Sequence, residues 1–168
     1  MALRSDWSVE QCPVRRGLDV VGDPWSLLIM RDALHGKRRF EQFRSLGIAD
    51  SVLSRRLAAL VRDGLLVRRE YQGTRRVHAE YLPTQAGADL LPVLHALAGW
   101  AEAHTDLPPG GGHMAIIHTC GAETRSADTC TGCGEPLRAQ DVSWDKPWSG
   151  RRDALVGPAP TAGPGSPG

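Results

Sequence analysis

Apolar positions along the first hundred residues alternate between helical stripes and one stretch of a different period. In "CPVRRGLDVVG", Val14, Leu18 and Val21 recur at i, i+4 and i+7, which puts them on one helical face, with Pro13 tolerated in the first turn. "GDPWSLLIMRDALHG" opens with Asp23 at the N-cap position and Pro24 at the first helical position, and stops at Gly36. "RRFEQFRSLG" predicts a short helix anchored by Phe40, Phe43 and Leu46 and ended by Gly47. After a tight turn, "ADSVLSRRLAALVRDG" carries the stripe Leu53, Leu57, Leu60 and Val61 up to Gly64. The period then changes. "LLVRREYQGTRRVHAEYLP" sets β-branched and aromatic residues on both sides of "YQGT", a hairpin turn in which Gly73 is free to take positive φ. "TQAGADLLPVLHALAGWAEAH" returns to helix, with Thr84 as a cap and Pro92 kinking or dividing it. One face holds Leu90, Leu94, Leu97 and Ala101. Leu91, Ala98 and Trp100 widen the apolar surface beyond what a single small domain buries.

Short helix, turn, helix and hairpin together predict a mainly α fold with a small β-hairpin wing, a winged helix-turn-helix, over residues 8–106. Such a fold lays its second paired helix in the major groove of double-stranded DNA. With Leu53, Leu57 and Leu60 inward, the opposite face presents Ser51, Ser54, Arg55, Ala58 and Arg62 to bases and phosphates. Arg56 lies to the side, where a structural ion pair and a DNA contact are both open. At the hairpin tip, Arg75 and Arg76 suit the phosphate backbone or the minor groove, while Arg68 and Arg69 sit further back. Charge sharpens this picture. The net charge is only +1, yet residues 31–80 hold twelve arginines or lysines against six acids, so a basic middle lies between acidic ends. A solvated charged surface that binds nothing would have the same composition.

The stretches "CPVRRGLDVVGDPWSLLIMRDALHGKRRFEQF", "SVLSRRLAALVRDGLLVRR" and "YLPTQAGADLLPVLHALAGWAEAH" resemble the HxlR family of bacterial transcription regulators across residues 11–105. The resemblance implies a homodimer, paired through the first and last helices, that binds a two-fold symmetric operator. One position departs from the family pattern. A serine usually follows the isoleucine that opens the recognition helix, and here Ala49 stands there, followed by Asp50 and Ser51. Alanine is a poor cap, so Asp50 or Ser51 is expected to take over or the start to shift by a residue.

Past "LPPGGG", a linker at residues 107–112, the chemistry changes. Three of the four cysteines fall within "HTCGAETRSADTCTGCGEPL". No stretch reaches the roughly 20 apolar residues of a membrane span, and the N-terminus lacks the apolar core of a secretion signal. A cytoplasmic location follows as the expectation. Thiols stay reduced there, so clustered cysteines point to metal or redox chemistry. Cys130 and Cys133 form a C-x2-C knuckle, and His118 and Cys120 an H-x-C half-site. Glycine after Cys120 and after Cys133 lets the backbone fold around sulfur. His118, Cys120, Cys130 and Cys133 make a four-coordinate structural zinc site in a knuckle-like module at 113–140. For the fourth ligand His113, Glu123, Asp128 or water remain alternatives, and a dithiol switch competes with the metal. Residues 141–168, rich in Pro, Gly and Ala towards their end, are expected to be largely disordered.

Cys12 opens the first helix beside Arg15 and Arg16, where a helix N-terminus and cations favour the thiolate. The resemblance adds that some relatives sense oxidants or electrophiles through a cysteine in this "CPV" position. Redox or small-molecule gating is therefore one expectation, and a buried junction thiol the other. No convergent nucleophile, general base or carboxylate pair is visible, which argues against an enzyme. The remaining alternative is a protein-interaction adaptor that uses the wing and the zinc module. His78, His95 and His104 read as ordinary surface or interface residues.

Overall fold

The computed structural model describes residues 7–72 and 77–160. Helix α1 (Pro13–Val21) leads into α2 (Pro24–Leu34), where the Asp23 side chain accepts the Trp25 N–H at 3.0 Å. The proline and the cap predicted from sequence thus start α2, and Gly36, at φ 88°, stops it. Helix α3 (Phe40–Phe43) continues as a single 3-10 turn to Leu46, and Gly47 at φ 72° redirects the chain. Helix α4 (Asp50–Arg62) follows.

Strands β1 (Leu66–Gln72) and β2 (Val77–Pro83) pair antiparallel, from Leu66 opposite Pro83 to Gln72 opposite Val77. The Tyr81 N–H also donates to the Arg38 carbonyl at 2.7 Å, tying the hairpin to the segment before α3. The last helical stretch is divided, as Pro92 suggested. Thr84 caps α5 (Gln85–Ala88) by accepting the Gly87 N–H at 3.1 Å, and α6 runs from Leu91 to His104 with the proline in its first turn. Only part of its wide apolar surface turns inward. Leu91, Leu94 and His95 are buried, whereas Leu97 and Trp100 are exposed.

The sequence-based expectation fails most clearly past residue 113. Strands β3 (Ala115–His118), β4 (Glu123–Thr124), β5 (Val142–Lys146) and β6 (Arg151–Ala154) form one antiparallel sheet in the order β4-β3-β5-β6. Two of its strands come from residues 142–154, inside the segment expected to be a largely disordered tail. The tail expectation for 161–168 lies outside the described residues. The reason for the error is burial. Val142, Trp144 and Leu155 share one core with Ile116, Leu137 and Ala139 of the preceding segment and with Leu34, Ala88, Leu91 and Leu94 of the helices. The Cys/His segment is therefore not an isolated module; its sheet packs directly on α2 and α6. A second core, beneath α4, joins Ile29, Met30, Ala33 and Phe43 to Leu53, Leu57 and Leu60.

Two histidines weld these halves, and one of them, His95, expected as an ordinary surface or interface residue, is buried. The Trp144 Nε1–H donates to His95 Nε2 at 2.8 Å, so His95 carries its proton on Nδ1 and donates to the Ala127 carbonyl at 2.9 Å. His35 stands edge-on to the same Trp144 ring at 4.6 Å, with Nδ1 at 3.0 Å from the Arg31 carbonyl and Nε2 at 3.2 Å from Lys146 Nζ. Burial lowers the pKa of both imidazoles, and for His35 the neighbouring Lys146 charge lowers it further.

Candidate nucleic-acid interface and metal centre

Helix α4 buries Leu53, Leu57 and Leu60 completely or nearly so, because leucines at this spacing share one face of a 3.6-residue helix. Ser51, Ser54, Arg55, Ala58 and Arg62 are exposed on the opposite side. Arg55 makes no hydrogen bond or ion pair with any of the described residues. Its neighbours differ. Arg56 is drawn to Asp23 at 2.6 Å, which selects the structural ion pair from the two roles left open for it. Arg62 pairs with Asp63 at 2.9 Å, and Arg68 with Glu70 at 2.6 Å. The proposed wing contacts Arg75 and Arg76 lie outside the described residues.

The start of α4 corrects the expected cap. Ala49 occupies the N-cap position and no side chain caps the helix. Asp50 instead turns to Arg44, with contacts of 2.9 and 2.5 Å, and that hydrogen bond holds its carboxyl below the usual range and Arg44 above its own. A carboxylate in the first turn still complements the helix dipole. It also leaves Ser51 free of capping duty and exposed.

Cys12 is exposed at the N-cap of α1, with Arg16 beside it on the Glu10 and Gln11 carbonyls. The same helix leaves Val14 and Leu18 in solvent, and α6 leaves Val93, Leu97 and Trp100 there.

The four Cys/His residues singled out in the sequence converge. Ligand-capable atoms of His118, Cys120, Cys130 and Cys133 all lie within 4.8 Å of one another. The Cys120 and Cys130 sulfurs are 3.6 Å apart, and Cys133 Sγ is 3.4 Å from His118 Nδ1. A tetrahedral zinc with ordinary bond lengths needs edges of about 3.8 Å between sulfurs and about 3.6 Å between sulfur and nitrogen. Those two edges thus have nearly the length that such an ion requires. His118 ends β3, Cys120 stands in the turn after it, and Gly121 and Gly134 take φ of 89° and 78°. The turn after Cys130 aims the Cys133 and Gly132 N–H groups at the Cys130 sulfur, and these lower its pKa, as suits a thiolate ligand. Of the alternative fourth ligands, His113 is taken up by Glu102 at 3.4 Å and Asp128 by Ser126 and Thr129.

A model of the HxlR-like helix-turn-helix family matches residues 20–108. An uncharacterized HTH-type transcriptional regulator of Mycobacterium tuberculosis is 40% identical over 131 residues, covering 77% of this chain and 82% of that one. A match of 131 residues cannot fit within the first 108, so the likeness runs into the second sheet. Among solved structures, a candidate transcription factor is similar with a TM-score of 0.65 and 36% identity, over 82% of this chain and 96% of its own. The redox regulator HypR in its reduced form is similar with a TM-score of 0.52 and 31% identity, over 56% of this chain and 95% of its own.

Proposed function

This chain belongs to the HxlR-like helix-turn-helix family, and from that membership we propose a DNA-binding transcription regulator that docks two α4 helices on a two-fold symmetric operator. The carrying observation is the outer face of α4. Three leucines anchor the helix, and Ser51, Ser54, Arg55 and Arg62 stand in solvent, with Arg55 unpaired among the described residues. A guanidinium held on a rigid helix and committed to no protein carboxylate is poised for a bidentate base contact. Arg75 and Arg76 on the wing would add backbone contacts.

Homodimerisation through α1 and α6 accounts for the exposed Val14, Leu18, Val93, Leu97 and Trp100 on the two terminal helices. The Cys/His cluster holds a structural zinc ion, supported by its donor spacing and its thiolate-stabilising turn. Gating by an oxidant at Cys12, on a helix of the proposed dimer junction, is the remaining part of the reading.

Selection of bound sites from random duplex DNA tests the reading. A recovered palindromic motif, bound with affinity that falls steeply as salt rises, is expected. Recovery of no motif, or salt-insensitive association, would exclude an operator-binding regulator.

A further inference from the structure

We infer that the Cys/His centre is a regulatory site at which a thiophilic divalent cation acts as an effector, and that residues 155–160 carry its occupancy to the DNA-reading hairpin. The inference rests on the metal reading above and adds a regulatory consequence to it.

A continuous chain of backbone contacts supports it. The ligand His118 pairs with Val142 across β3 and β5, and the next residue, Thr119, donates its N–H to the Asp141 carbonyl at 2.9 Å. The Val142 carbonyl accepts the Leu155 N–H at 2.9 Å. Leu155 is buried in the same core as the ligand Cys130. From there the chain leaves the sheet. The Val156 N–H donates to the Leu34 carbonyl at 2.8 Å, the Ala159 N–H donates to the Pro83 carbonyl at 2.7 Å, and Arg69 of β1 donates to the Pro160 carbonyl. Residues 155–160 therefore form a strap from the metal centre to both strands of the hairpin. Its sequence after Val156 is Gly-Pro-Ala-Pro, and the prolines fix φ at alternate positions, which limits the slack that would absorb a displacement.

The cation has something to change at the near end. Its ligands come as two pairs, His118 with Cys120 and Cys130 with Cys133, on separate arms of one loop. Within the protein, the arms meet in the core shared by Ile116 and Cys130 and at the Thr124 hydroxyl, which accepts the Thr131 N–H at 3.3 Å. Coordination replaces thiol protons, which pass to solvent, with four bonds to one ion. That fixes the end of β3 and through it the anchor of the strap. An ordered strap holds the hairpin against the α2–α3 segment, so the cation should tighten DNA binding.

The test uses the full chain stripped of metal by a chelator, cobalt(II) as probe, and a duplex selected from a random pool. The thiolate-to-cobalt absorption band reports occupancy independently of DNA. Cobalt is expected to raise duplex affinity by a factor in the range of about 5- to 150-fold, and the duplex to raise cobalt affinity by the same factor. Ala159→Pro deletes the N–H that reaches Pro83 while keeping every ligand. It is expected to retain the cobalt band and duplex binding but to lose most of the coupling. Equal duplex affinity with and without cobalt, weaker binding with cobalt, or undiminished coupling in Ala159→Pro would overturn the inference while leaving a structural metal standing. Absence of the cobalt band would remove both.

Discussion

Arg55 and Arg56 are adjacent in sequence and about 100° apart around the helix, and that rotation separates their roles. Arg55 stands free of the described residues, whereas Arg56 is half-buried against Asp23, which also caps α2. Arg55→Ala is expected to relax preference at one operator position by about 1–3 kcal/mol without altering the melting temperature. A uniform loss across all sequences would assign that side chain to phosphate instead. Arg56→Ala should do the reverse, lowering thermal stability and leaving the selected motif intact. Leu57, fully buried beneath α4, should cost about 2–5 kcal/mol when cut to alanine, read by urea denaturation. For Cys12, comparison of Cys12→Ser with the parent chain under a thiol oxidant decides its role. Loss of DNA binding in the parent alone assigns sensing to Cys12, and loss in both moves it to the distal thiols.

The elements show which local signals were sufficient. Asp23-Pro24 started α2, Gly36 and Gly47 ended segments at positive φ, and the leucine stripe of α4 went inward as its spacing required. The cap of α4 was not legible, because Asp50 is recruited by Arg44, a residue whose proximity depends on the turn between α3 and α4. Gly87 shows a constraint that composition hides. A Cβ there would sit 2.1 Å from the Leu65 carbonyl oxygen and 2.8 Å from Met30 Cε. Although alanine is the better helix former, Gly87→Ala is expected to destabilise by about 1–3 kcal/mol, because it forces α5 off the start of β1. A neutral or raised melting temperature would show that α5 shifts at no cost.

On the scale of the whole molecule, β5 is held between α2 and α6 by the two neutral histidines around Trp144. Their pKa values are lowered on folding, so the unfolded chain takes up protons first as pH falls. Their contribution to stability is complete above the unfolded value of about 6.5 and is lost as pH falls from there to the folded values, below which the loss levels off. Melting temperature should therefore decline between about pH 7 and the folded values, with a shallower decline in His95→Gln. An unchanged slope in that variant would acquit His95. The exposed Leu97 and Trp100 carry a second expectation: Trp100→Glu should shift sedimentation towards a monomer and weaken operator binding without unfolding the chain.

The sequence by itself determined the helix-turn-helix, the hairpin, the outward residues of α4 and the grouping of three thiols. Each of these follows from a short-range period or spacing that any local segment carries with it. Tertiary structure decided what depends on partners distant in the chain. Val142 and Trp144 became strand and Leu155 turned inward because Leu34, Leu91 and Leu94 offered them a shared core. His95 went inward because Trp144 and Ala127 satisfied both its nitrogens. His118 joined three thiols because Cys130 is buried in the same core as Ile116 of β3, which brings the two arms of the loop together. Burial and hydrogen-bond satisfaction belong to pairs of residues, and a linear pattern records only one member of each pair.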